Sequence, residues 1–128
     1  MASIDHPILK VAALDRSVAC YEEVLGFECE GQDGPFTILR VSPTFVLQLA
    51  PCGTGGMEHV AFALEREAFD PTLARLKAKR VPYAPRFDLV GKTQGIGREA
   101  GARGSAPTVD FSDPDRHLIE TRTDAPQA

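Results

Sequence analysis

The apolar and turn-forming residues of this sequence run through the same order twice, and that repetition constrains the fold more than any single motif. Residues 6–12 are apolar enough for a strand, with Pro7 at its start, where a missing N–H is tolerated. Asp15 is placed to cap a helix. Leu14, Val18, Tyr21 and Leu25 recur at helical spacing, and Gly26 stands where a glycine would end it. Three short apolar stretches follow at 27–30, 36–41 and 44–50, parted by turn residues at 31–35 and by Ser42-Pro43. After a Gly-rich connector at 51–56 the order begins again. Residues 58–64 read as a strand and 66–79 as a helix with Phe69, Leu73 and Leu76 on its apolar side; Pro71 suits that helix only within its first turn. A strand at 81–87, a glycine- and charge-rich loop at 91–104 and a hairpin at 107–122 complete the block. The expected fold is α+β: one domain over residues 1–128, built of two tandem βαβββ modules (4–50 and 57–123, linker 51–56). Together they would form a curved mixed sheet around a cavity suited to a metal.

Composition narrows the function classes. A chain of 128 residues with 43% apolar and 25% charged residues fits one globular domain with a real core. The net charge of -4 and the lack of an arginine-rich arm argue against nucleic acid as a partner. No apolar run approaches a membrane span and no signal segment opens the chain, so a cytoplasmic protein without a membrane partner is expected. Cys20, Cys29 and Cys52 are widely spaced and odd in number, which predicts reduced, mostly buried thiols rather than disulfides or a structural zinc site.

The duplication decides which polar residues to compare. Glu120 lies in mid-strand after the tight turn Asp113-Pro114-Asp115-Arg116. By itself it reads as an ordinary residue on the solvated face of a sheet. His6 and His59, however, fall near the start of the first strand of each block, and Gln48 and Glu120 fall at matching places after the turns Ser42-Pro43 and Asp113-Pro114. Taken singly, His6 fits a surface residue, His59 a buried histidine bonded to a carbonyl, and Gln48 a cross-sheet hydrogen bond. Taken together, two imidazoles and a carboxylate suit divalent iron, zinc, nickel or manganese, and three protein ligands leave room for a small-molecule substrate. His117, close to the turn, reads as surface or as a support for the ligands. Tyr21 shares the helix's apolar phase and reads as core.

These residues carry a resemblance. Ile4-Asp-His6 with Leu14-Asp-Arg-Ser-Val-Ala-Cys-Tyr-Glu-Glu-Val-Leu-Gly-Phe27, Glu58-His-Val-Ala-Phe62 and Asp113-Pro-Asp-Arg-His-Leu-Ile-Glu120 resemble the vicinal oxygen chelate superfamily. That superfamily comprises glyoxalase I, bleomycin resistance proteins, fosfomycin resistance thiol transferases and extradiol dioxygenases. The likeness runs from residue 4 to about residue 123. It implies the metal ligands His6, His59 and Glu120, with Glu120 also catalytic, and a homodimer, the usual state of small members. The sequence departs from the pattern at Pro7, at Cys20 and at Arg116-His117, where Gly-Asn is usual. Gln48 stands near the place where bacterial-type glyoxalases present a second glutamate, and an amide cannot take up a proton as that base does.

Such a centre would chelate adjacent oxygens of a substrate and stabilise charge developing on them, in lyase, isomerase or ring-cleavage chemistry. The loop 91–104 is the natural lid, with Arg98 and Arg103 beside Gln48 as substrate-binding residues; a solvated charged hairpin is the plainer alternative. A metal-free binding or drug-sequestering protein of the bleomycin-resistance type is the competing class, and retention of all three ligand-type residues argues against it. A fosfomycin-type thiol transferase is a narrower alternative.

Overall fold

Each half of the chain folds as one βαβββ module. The computed structural model describes residues 1–53, 57–101 and 103–123, and the chain divides into two compact units, Met1–Met57 and Glu58 onward. Residues 54–56 of the expected linker lie outside the described residues, as does Ala102 of the expected loop.

The first unit contains β1 (Ile8–Lys10), α1 (Leu14–Leu25), β2 (Glu28–Asp33), β3 (Phe36–Ser42) and β4 (Phe45–Ala50). The strands lie in the order β1-β4-β3-β2, with β1 parallel to β4 and the other pairs antiparallel. Regular β1 is shorter than expected, yet Val46 and Gln48 donate their N–H groups to Asp5 and Pro7 carbonyls, so pairing reaches back past His6. Asp15 is not the cap: Ala13 occupies that position without a side-chain bond, and Asp15 sits in the first turn, where its charge favours the helix dipole. Gly26 ends α1 at φ 75°, its N–H on Glu22 and that of Phe27 on Tyr21. Ser17, Tyr21, Val24 and Leu25 form the buried stripe of α1, and alternation buries Leu39, Leu47 and Leu49 on one sheet face. The core placement of Tyr21 holds. The cysteines carry thiols, not disulfides, but Cys52 is exposed and Cys20 and Cys29 are only half-buried, because none falls on those inner faces.

The second unit contains β5 (His59–Ala63), α2 (Arg66–Ala78), β6 (Tyr83–Ala84), β7 (Gly97–Gly101), β8 (Gly104–Ser112) and β9 (Leu118–Arg122). Its order is β5-β9-β8-β6, with β7 also on β8 and only the β5–β9 pair parallel. The expected strand at 81–87 is real only at Tyr83–Ala84. β6 pairs with Asp110 and Phe111, and β7 then pairs with the stretch from Gly104 to Thr108 along the same edge of β8. One edge strand is therefore interrupted after Pro85 and resumes at Gly97. Residues 86–96 loop out between, holding a short 3-10 turn at Phe87–Leu89. A Cβ at Gly97 would overlap the carbonyl of Pro85, so the rejoining point has room for glycine only. The expected loop at 91–104 is thus half strand, a hairpin extension of the sheet. Pro71 lies beyond the first turn of α2, where its ring leaves the Glu67 carbonyl without an amide donor; the Thr72 hydroxyl donates to the next carbonyl, that of Ala68, at 2.8 Å.

The turn between β8 and β9 is organised by Asp113, whose Oδ1 accepts the N–H groups of Asp115 and His117 at 2.9 and 2.8 Å. Arg116 there adopts φ 65°, the left-handed conformation, with its side chain exposed. A glycine at this place removes the Cβ conflict, which explains why the resembled motif carries one. Arg116→Gly is expected to raise stability by about 1 kcal/mol, measured by urea denaturation.

Candidate functional site

One face of the second sheet gathers the polar residues. On β9, Leu118, Glu120 and Arg122 alternate with Ile119 and Thr121, and Ile119 packs inward with Phe62, Val109 and Phe111. The register carries the outward set across the sheet: Ala61 and Asp110 flank Glu120, while Ala63 and Thr108 flank Arg122. β7 sets Gly97 opposite Thr108 and Glu99 opposite Ala106, which brings Glu99 to the same face. His59, two residues before Ala61, belongs to it as well.

Glu120 is 6% exposed and works in two directions. Its Oε1 lies 3.3 Å from His59 Nε2, and its Oε2 accepts Arg122 Nη1–H at 3.1 Å. A buried carboxylate needs such a partner. The Arg122 guanidinium is itself held in a seat of backbone carbonyls: Nη1 donates to Ala100 at 3.3 Å, and Nη2 to Glu99 at 3.3 Å and Gly104 at 2.7 Å. A Cβ at Gly101 would run into that guanidinium, so the β7–β8 hairpin can close over it only with glycine there. His59 is half-exposed, and Phe87 from the looped-out segment stands 6.4 Å from its ring.

His117 is buried, not a surface residue. Its Nδ1 accepts the Glu58 N–H at 3.1 Å, and the Leu118 N–H returns to the Glu58 carbonyl at 2.8 Å. The turn is thereby clamped to the residue preceding His59.

Asp110 is fully buried, and among the described residues its carboxyl is hydrogen-bonded to the carboxyl of Glu99. Burial first, then the negative charges of Glu99 and Glu120, push its carboxyl up to about 8; the proton so retained can be shared with Glu99. Ligand oxygens of Glu99, Asp110 and Glu120 lie within 4.8 Å of one another.

Two pockets flank the His59–Glu120 pair. One, of about 450 Å³, is lined by Ala61, Ala63, Arg103 and Arg122; the other, of about 470 Å³, by Arg86, Phe87, Arg98 and Glu99. Arg98 also donates to the Ser105 carbonyl at 3.2 Å. In the first unit, His6 Nδ1 lies 2.7 Å from Asp5 Oδ2, and Gln48 is half-buried. The registers of the two modules match: Ile8 pairs with Gln48 as Ala61 pairs with Glu120, and each histidine stands two residues before the first member. In the same correspondence Ile38 occupies the place of Asp110, so the acidic cluster belongs to the second module alone.

Glu99, Asp110 and Arg122 were not singled out by sequence. For Asp110 and Arg122 the signal was available: a hairpin turning at 113–116 sets Asp110 across from Glu120, and Arg122 two residues on shares its face. Glu99 and Phe87 had no such signal, since both lie in a stretch whose interrupted strand has no periodic pattern.

The order β-α-β-β-β, repeated, defines the class of fold: two tandem modules of one kind, with a histidine and a carboxylate meeting on the face of the second sheet. The chain belongs to the Glyoxalase/Bleomycin resistance protein/Dioxygenase superfamily, whose profile matches residues 3–121. Its fold is similar to an integron cassette protein from the mobile metagenome of V. Cholerae (TM-score 0.79, 21% identity, 98% of this chain and 97% of that one). It is also similar to oxidase ChaP-H2 (TM-score 0.78, 21% identity, 97% and 94% covered). A lactoylglutathione lyase from Agrobacterium tumefaciens matches with TM-score 0.70 and 18% identity over 97% and 95% of the two chains. Among the described residues no helix is long and apolar enough to cross a membrane.

Proposed function

We propose that this chain is a metal-dependent enzyme of the glyoxalase/dioxygenase type, holding a divalent iron, zinc, nickel or manganese ion with His6, His59 and Glu120. The observation that carries this is the His59–Glu120 pair, whose donor atoms lie 3.3 Å apart. Two ligands bound at about 2.1 Å and at a tetrahedral angle stand about 3.4 Å from each other, so the pair fits one ion. His6 suits the third place chemically: Asp5 beside its Nδ1 would leave Nε2 as the ligating atom, the usual carboxylate support of a metal-bound histidine. The matched register of the modules supports the choice of His6 as the partner of His59.

Bound there, the cation would supply a Lewis acid toward two adjacent oxygens of a small substrate. The protein's own groups divide the remaining work. Arg98 and Arg103, one in each flanking pocket, attract an anionic substrate. The Gln48 amide can donate to a substrate oxygen but cannot take up a proton, which leaves Glu120 as the group that moves one. In this reading the enzyme is a cytoplasmic homodimer.

The test is metal analysis of the purified protein. The parent should carry about one transition-metal ion per chain, and His59→Ala and Glu120→Ala should each lose it. A metal-free parent, with ligand affinity unchanged in both variants, sinks the proposal. The acidic face of Glu99, Asp110 and Glu120 favours one second reading, a metal-free protein that sequesters a cationic small molecule; a metal-free parent that binds such a cation, and binds it more weakly after Glu120→Ala, would establish it.

A further inference from the structure

We infer that the first module carries a ligand site of its own, between α1 and its sheet, for a short aliphatic amino alcohol: a cationic head, an apolar stem and a neutral hydroxyl end. It lies on the helix side of the sheet, whereas Gln48 and its partner Ile38 stand on the other face.

A cavity of about 370 Å³ opens between α1 and the β2–β3 hairpin, room enough for a small molecule. Leu14, Val18 and Ala19 line its helix wall and are only half-buried although apolar. Cys29 and Thr37 line the sheet wall. The matched registers of the modules account for the opening. Cys29 pairs with Leu39 as Tyr83 pairs with Phe111, so a thiol stands where the second module has a phenol ring. Thr37 stands in the same way where the second module has Val109. Tyr83 and Val109 are both buried, so the fold accepts a bulkier side chain at one position and an apolar one at the other.

Thr37 supplies the observation that points to a ligand. It is 4% exposed, and its Oγ1 has no hydrogen-bond partner among the described residues. A buried hydroxyl left so is costly, and valine in its place would not be. On the wall of the cavity it can exchange a hydrogen bond with a neutral polar group carried in by a ligand. Charge sets the other end of that ligand. Asp15, Glu22 and Glu23 rim the cavity, and among the described residues no lysine or arginine lines it. Glu22 is held in place there, its Oε2 accepting the Cys29 N–H at 3.3 Å. The cavity beside Tyr83 in the second module, of about 290 Å³, has Lys77 and Arg80 instead, so the acidic rim belongs to this sequence and not to the fold. An ammonium at the rim stays near water and opposite charge, methylenes cover Leu14, Val18 and Ala19, and the hydroxyl meets Thr37.

Amide NMR titration of the full chain with ω-amino alcohols of three to six carbons tests this. At least one should shift the amides of α1, β2 and β3 saturably. The plain amine of that chain length should bind more weakly on the order of 10-fold, the upper end for one hydrogen bond, and the hydroxy acid of that length should not bind. Thr37→Val should bind the amino alcohol and the plain amine alike, because the partner hydroxyl is gone. Cys29→Tyr, which brings in the second module's side chain, should abolish binding. Thermal melts run alongside show that the variants are folded, with Thr37→Val melting no lower than the parent. No saturable shift in the parent up to about 10 mM of any member of the series overturns the inference, as does parent-like binding by both folded variants. Binding lost in Glu120→Ala but kept in Thr37→Val overturns it too, since the cation then sits on the acidic face of the second module. Metal analysis of the parent reads the proposed function separately, so either can fail alone.

Discussion

Arg122→Met is expected to destabilise the protein by about 3–5 kcal/mol, the range for removing one member of a buried ion pair. Arg122 is 6% exposed, and its guanidinium meets Glu120 Oε2 together with the carbonyls of Ala100, Glu99 and Gly104. Methionine fills much of the volume but leaves a buried carboxylate without its cation and takes three N–H···O contacts from the carbonyls of Ala100, Glu99 and Gly104. Most of the loss therefore comes from desolvated groups left behind, not from the pair's own attraction. Arg122→Lys should recover only part of it, since one ammonium cannot span a seat shaped for a planar fork. Pairing Arg122→Met with Glu120→Gln removes the orphaned charge and should return 1 kcal/mol or more relative to the sum of the single changes, on the order of other contacting pairs. Urea denaturation at pH 7 measures all four. A loss below about 1 kcal/mol for Arg122→Met would place the pair among exposed, screened ones. The same contact orients the candidate site, because Arg122 holds one oxygen of Glu120 while the other lies toward His59.

How far the sequence announces this arrangement depends on periodicity. The repeated module was legible because each strand and helix keeps its own period, and glycine and proline punctuate between them. The matched places of the two histidines, and of Gln48 with Glu120, were legible because duplication supplies an internal comparison, and the register of the strands follows it. Periodicity fails at residues 81–104. There one edge strand is split by a looped-out segment, so Glu99 reads as part of a charged loop although it is fixed on a strand. Pro71 misleads in the other direction. The helix continues through it, because burial of Phe69, Thr72 and Leu76 outweighs one missing hydrogen bond. Asp110 was hidden in plain view: an acid between Val109 and Phe111 looks like ordinary outward alternation until a third carboxylate, from a strand the sequence does not reveal, covers it.

That buried acid gives the protein a pH dependence whose sign is fixed. The carboxyl of Asp110 is raised from an ordinary 3.8 to about 8, by burial first and by Glu99 and Glu120 next. Between those values the folded protein keeps a proton that the unfolded chain releases. This contribution to stability is therefore full below about pH 4 and is lost as pH rises toward 8. Each pH unit inside that window removes at most on the order of 1 kcal/mol. Asp110→Asn, neutral throughout, abolishes this contribution. In urea denaturation with a chelator present, parent and variant should differ little at pH 4, and the variant should gain steadily to pH 8. A difference that stays flat across that range would mean Asp110 is ionised at every pH tested, held by a partner other than a proton.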